Sequence, residues 1–219
     1  MSPLKFLNIA FLGSLFLLTS SSVKAQYQQQ LFLDLRQGVL SEADYFADKS
    51  GPWMGAVITD NELKINPFNW DSIQLVEGEM DNYYQLTQKK NAPNFIFEGD
   101  ATIIGKKISS TKFAPNQLYP GQRIVLKHEA DDYIIYATGD GPRSSKLGSI
   151  SDISNYKLFV KKNNDQSELL LSIDFFDDNF VAIEWIGDFN SDGKLDFLLQ
   201  TSSKYTHNEY QLFTKETIK

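Results

Sequence analysis

From residue 55 to the end, the apolar residues of this chain come in short runs rich in Ile, Val, Phe and Tyr, most of them closed by Gly, Asn, Asp, Ser or Pro. Side chains that branch at Cβ or carry rings suit a pleated surface, and runs this short cannot supply the long stripe of an amphipathic helix. The pattern predicts strands at 55–59, 72–78, 94–99, 101–108, 122–130, 132–139, 156–162, 168–176, 179–187, 194–202 and 209–216. The expected class is all-β, built mostly from antiparallel strands and hairpins in a sandwich-like arrangement. Hairpin turns are expected at Gly99-Asp100, Asp131-Asp132, Asn163-Asn164-Asp165 and Asp177-Asp178-Asn179, and Pro120-Gly121 should lead into a strand. One helix is expected, at 41–48, with Ser41 as its cap.

Gly, Ser and Pro concentrate between residues 139 and 154. That segment reads as a linker or a long loop between an N-terminal β region (26–138) and a C-terminal one (155–219). Two small β-units joined there and one continuous domain are both compatible with the composition. No useful internal repeat recurs, which argues against a complete propeller.

The first 25 residues read as an export signal: a short positive start, an apolar run over 6–18, and small residues at Val23 and Ala25 ahead of Gln26. The expected location is secreted or periplasmic, with no stable membrane span once the signal is removed. The apolar run is shorter than the ~20 residues a span needs. The chain carries a net charge of −7 and no cysteine. Its Lys-Lys pairs at Lys89, Lys106 and Lys161 look scattered, so neither a nucleic acid nor an anionic membrane surface is expected as a partner. Export without disulfides asks the core itself, or a bound ion, to hold the fold.

The segment from Gly187 to Leu199, GDFNSDGKLDFLL, suggests such an ion. Counting from Asp188 as position 1, Asn190 is 3, Asp192 is 5, Lys194 is 7 and Asp196 is 9. In a tightly curled loop, alternate side chains turn inward, so oxygens at 1, 3 and 5 converge, the backbone carbonyl at 7 adds another, and Gly193 permits the bend at 6. Hard oxygen donors without His or Cys favour Ca²⁺, which would offset the repulsion among Asp188, Asp192 and Asp196. An acidic Asx-turn hairpin that binds nothing is the plain alternative. An EF-hand is excluded by Leu199 at position 12, where that loop needs Glu, and by the strands on both sides.

The G-D-x-N-x-D-G-x-x-D pattern between two strands resembles the calcium loop of FG-GAP/VCBS-type repeats, over about 185–213. The resemblance implies ligand roles for Asp188, Asn190, Asp192 and Asp196 together with the Lys194 carbonyl, in a loop whose task is structural. The resulting expectation is an exported, non-catalytic module with one structural Ca²⁺, binding an unknown protein or glycan or associated with a cell surface.

Two rivals deserve residues. A carbohydrate-binding module would use exposed faces of Trp53, Trp70, Tyr83, Tyr84, Tyr205 and Tyr210; two or three coplanar exposed rings would support it, and buried rings would not. A hydrolase would need a carboxylate pair such as Asp174 and Glu184. His128 and His207 lie in no nucleophile or metal pattern and read as surface or edge-strand residues.

Overall fold

A computed structural model describes residues 27–36, 39–40, 51–59, 62–77, 83–87, 92–99, 101–177, 180–201 and 209–215. The signal segment, the helix expected at 41–48, Tyr205 and His207 lie outside these residues. Among the described residues the fold is almost entirely antiparallel β-structure, arranged as one eight-stranded, one four-stranded and one three-stranded sheet. No helix among them is long and apolar enough to cross a membrane.

The eight-stranded sheet contains β1 (Tyr27–Asp34), β3 (Trp53–Ile58), β4 (Glu62–Pro67), β7 (Phe95–Glu98), β8 (Lys107–Ser109), β13 (Ala182–Gly187), β14 (Asp196–Gln200) and β15 (Tyr210–Lys215), in the order β13-β14-β15-β1-β7-β3-β4-β8. Its two ends nearly meet. Ser110, one residue past β8, forms an antiparallel bridge with Gly187, and the Thr111 amide donates to the Ile186 carbonyl at 2.8 Å. The Trp185 indole N–H adds a bond to the Ser110 hydroxyl at 2.8 Å. An eight-stranded ring encloses a space that side chains can fill. Here Phe32, Met54, Leu63, Phe97, Trp185 and Leu198 fill it, with Phe32 stacked on Phe97 at 4.3 Å between centroids.

The four-stranded sheet is β9 (Arg123–His128), β10 (Asp131–Asp140), β11 (Ser154–Lys162) and β12 (Glu168–Phe175), in the order β12-β11-β10-β9. Its inner face, with Ile135, Tyr156 and Leu158, packs on Ile183, Phe197, Leu199 and Phe213 from the outer wall of the ring. The strand β14 is therefore covered on both faces, which is why its sequence is a continuous apolar run and not an alternation. The third sheet, β2 (Val39–Leu40), β6 (Tyr83–Leu86) and β5 (Ile73–Val76), sets Leu40, Ile73, Tyr84 and Leu86 against Leu33 and Ile96 on another part of the wall.

The segment expected as a linker or long loop at 139–154 begins and ends in strands: the loop proper is 141–153, with a 3₁₀ turn at Ile150–Asp152, and it lies within a sheet. The strands on either side of it, β10 and β11, pair with each other, and the eight-stranded sheet takes strands from both the 26–138 and the 155–219 regions. Two expected hairpins are corrected. The strand β7 pairs with β1 and β3, so Gly99 turns no hairpin; Asp177 lies where the chain leaves the four-stranded sheet, because β13 pairs with β14 and not with β12. In the β9–β10 hairpin His128 faces Asp131, so the turn is Glu129-Ala130, with Glu129 at φ +52°. The expected strand at 101–108 is a 3₁₀ turn over Ala101–Ile103 followed by the short β8.

Candidate metal centre

The loop from Asp188 to Leu195 joins β13 and β14 after the pair Gly187↔Asp196. Its side chains fold it from within. Asp188 accepts the amide of Asp192 on Oδ1 at 2.9 Å and that of Gly193 on Oδ2 at 2.8 Å. The same Asp192 amide also reaches Asn190 Oδ1 at 3.1 Å, and Asp192 Oδ1 accepts the Lys194 amide at 2.9 Å. Such Asx turns replace the missing ladder bonds of a curled segment. Two residues complete the curl in the left-handed region, Ser191 at φ +63° and Gly193 at φ +77°, the latter at the position where the spacing required a glycine.

The spacing expected oxygens at positions 1, 3 and 5 to converge, and the resemblance added Asp196 at position 9; the side chains at 1, 3 and 5 accept amides within the curl, whereas Asp196 accepts those of Phe189, at the start of the loop, and Lys215, on β15. Asp188 and Asn190 share the Asp192 amide, and Asp192 accepts that of Lys194. Asp196 is fully buried, in register with Leu198 on the inner side of β14. Its Oδ2 accepts the amides of Phe189 at 2.7 Å and Asn190 at 3.4 Å, while Oδ1 accepts that of Lys215 at 3.2 Å. Asp196 thus ties both ends of the loop to β15. Burial, with a smaller push from the Asp192 charge, raises its pKa to about 7 against the opposing pull of those three amides. Among the described residues, no three acidic or histidine side chains lie close enough together to form a metal-holding group.

The donor chemistry of the first three positions fits a hard cation. An ionised carboxylate offers about four lone-pair directions, of which the loop amides occupy two on Asp188. A counter-charge already lies beside the loop: the Lys194 ammonium is 3.4 Å from Asp192 Oδ2. Lys194 therefore contributes a competing cation as well as the backbone carbonyl assigned to it by the spacing.

The residues named for the rival functions are placed differently. Glu184 binds Arg36 at 2.9 Å, and Arg36 also holds Asp34 at 3.0 Å and the Tyr210 hydroxyl. The guanidinium lies 5.0 Å from the Phe95 ring centre and 4.9 Å from that of Tyr210. Glu184 is thus engaged in a structural network, whereas Asp174 is exposed on β12. Apart from Asp34, two residues away on β1, the partners of Arg36 come from three other strands, β7, β13 and β15, so the sequence near Arg36 did not mark this cluster. Tyr84 and Tyr210 are buried, and the half-buried Trp53 and Trp70 meet edge to face at 81°, so they offer no coplanar platform. His128 sits on the edge strand β9 with its Nδ1 3.2 Å from the Thr111 hydroxyl. Neither a family model, nor a curated protein, nor a solved structure matches this chain.

Proposed function

We propose that the chain is an exported, non-catalytic β module whose 188–196 hairpin takes one structural Ca²⁺ through Asp188, Asn190, Asp192 and the Lys194 carbonyl. The observation that carries this reading is the pre-folded curl: three oxygen-bearing side chains at alternate positions are already oriented by the loop's own amides. In this reading Asp196 positions the loop and does not reach the ion. Bound calcium would neutralise Asp188 and Asp192 and lock the turn that joins two strands of the eight-stranded sheet. The leader-like first 25 residues support an extracytoplasmic location, where millimolar calcium could fill a site of roughly 10⁻⁴ to 10⁻³ M affinity.

Melting with chelator and with calcium tests the proposal. An ion that binds only the folded chain adds about 2.7 kcal/mol at a hundredfold excess over its Kd. Asp188→Ala and Asp192→Ala should abolish the calcium-dependent rise in Tm. Lys194→Ala should keep it and move it to lower calcium, since position 7 binds through its carbonyl and the competing ammonium is gone. An unchanged wild-type midpoint, with no ion detected by calorimetry at millimolar calcium, would return the loop to an acidic turn.

A further inference from the structure

The outer face of the four-stranded sheet concentrates what the sequence scatters. Strand alternation places Arg123, Val125 and Lys127 of β9 outward, with Lys157, Phe159 and Lys161 of β11. Between them, β10 presents Ile134 and Tyr136. Pairing aligns Val125 with Ile134 and Lys161 in one row, and Arg123, Tyr136, Phe159 and Leu169 in the next. Each basic strand thus reads cation, apolar, cation, around a centre where Tyr136 and Phe159 stack at 5.2 Å and 15°. Val125 is 63% and Leu169 49% exposed, and none of these apolar residues belongs to a core cluster.

The charge of this face runs opposite to that of the chain. Four basic side chains face Asp132, Asp174 and, at the end of β10, Asp140, which accepts from Asn155, while the whole chain carries −7. Lys127 is paired with Asp132 at 3.6 Å, whereas Arg123, Lys157 and Lys161 make no ion pair among the described residues. Along a strand, cations four residues apart are roughly 13 Å apart, and β9 lies roughly 10 Å from β11. The cations are therefore spread around an apolar centre and not gathered into one cluster.

We propose that this face binds an acidic polysaccharide, its sugar rings lying over Tyr136, Phe159, Ile134 and Val125 and its carboxylates meeting Arg123, Lys157 and Lys161. Pyranose rings present apolar C–H faces that pack against aromatic and branched side chains. A chain with carboxylates on alternate sugars matches cations set this far apart. A nucleic acid, with a phosphate on every nucleotide, draws its affinity from many neutralised phosphates, and a face with a small positive excess on an acidic protein supplies few. The inference builds on the binding-module reading but is independent of the calcium ion.

The test is fluorescence anisotropy with a labelled hyaluronan octasaccharide at low salt, in chelator and again in calcium. Binding is expected in both, weakening as salt rises, with neutral dextran failing to compete. The double variant Arg123→Gln/Lys157→Gln should lose about tenfold in affinity, the sum of two exposed ionic contacts. Tyr136→Leu, which keeps apolar area and removes the ring, should lose about threefold, the contribution of one stacking contact. Circular dichroism verifies that each variant is folded. Tighter binding to poly(dT) or to phosphatidylglycerol vesicles, effective competition by dextran, affinity unaltered in both variants, or a change of oligomeric state in the double variant would each overturn the proposal. Binding seen only with calcium would also overturn it, whereas loss of the calcium effect on Tm alone would leave it standing.

Discussion

A carboxylate with no exposed surface is costly unless its charge is answered, and for Asp196 the answer is three backbone amides. Asp196→Ala leaves those amides without their acceptor in a buried corner. At about 1 to 3 kcal/mol for each buried group left unsatisfied, urea denaturation should show a loss above about 3 kcal/mol. The loss should be the same in chelator as in calcium; a loss confined to calcium would make Asp196 a ligand. Glu184 poses a different residue-scale problem. Burial raises its pKa, the Arg36 cation pulls it back, and Asp34 pushes it up again, leaving it above its ordinary value of 4.5. The folded state thus holds the Glu184 proton more tightly than the unfolded chain does. Its contribution is fully present below about pH 4.5 and is lost as pH rises through the folded pKa. Glu184→Gln imitates the protonated form, so the stability of this variant relative to wild type should grow from pH 4 upward and then level off. Tm measured on both proteins across pH 4 to 8 checks this, and a difference that shrinks with rising pH would contradict it.

The β13–β14 hairpin both closes the ring and carries the candidate loop, and Gly187 sits where those roles meet. A Cβ on Gly187 would lie 2.2 Å and 2.6 Å from Trp185 ring atoms and 2.7 Å from the Ser109 carbonyl. Gly187→Ala should therefore cost about 3 kcal/mol through overpacking, with a reduced near-ultraviolet signal from Trp185. An unchanged denaturation midpoint would mean that the seam is loosely packed. The hairpin also shows how far elements could be read from sequence. Runs with strong alternation or high apolar content, such as those of β9 to β12 and β13 to β15, announce themselves as strands. The strand β1 opens on Tyr-Gln-Gln-Gln, β4 is ELKINP and β6 is YYQL. Their polar content hides them: β1 is a strand through pairing with the distant β15 and β7, and β4 and β6 are strands because each pairs with a neighbour on both sides. The curl of Asp188, Asn190 and Asp192 was legible because Asx turns are local. The placement of Asp196 was not, since position 9 of the loop is also the first residue of β14, and strand alternation overrides loop spacing by putting it on the side of Leu198. Lys157, Phe159 and Lys161 were visible as an alternation, but only the pairing of β11 with β10 and of β10 with β9 assembles them with Arg123 into one face.

At the scale of the molecule, the eight-stranded sheet is common to all three cores. Its interior forms one, the outer sides of β13, β14 and β15 contribute Ile183, Phe197, Leu199 and Phe213 to the second, and β1 and β7 contribute Leu33 and Ile96 to the third. Removing the four-stranded sheet would expose the outer side of β14, a strand whose other side fills the ring, so neither core is stable without the other. The chain crosses this arrangement repeatedly: β1, β3, β4, β7 and β8 precede the 141–153 loop and β13 to β15 follow it, all within one sheet. Such interleaving predicts a single cooperative unit. Trp185 reports on the ring interior, Trp53 and Trp70 on the third core, and Tyr133 and Tyr156 on the four-stranded sheet. Urea curves followed by tryptophan fluorescence, by near-ultraviolet circular dichroism and by far-ultraviolet circular dichroism should coincide. A chain cut once between Ser144 and Lys146 should likewise elute from a sizing column as one species and separate only in denaturant, because β10 and β11 remain paired across the cut. Two resolved transitions, or fragments that part under native conditions and keep their own β-structure, would show that the loop joins two independent units.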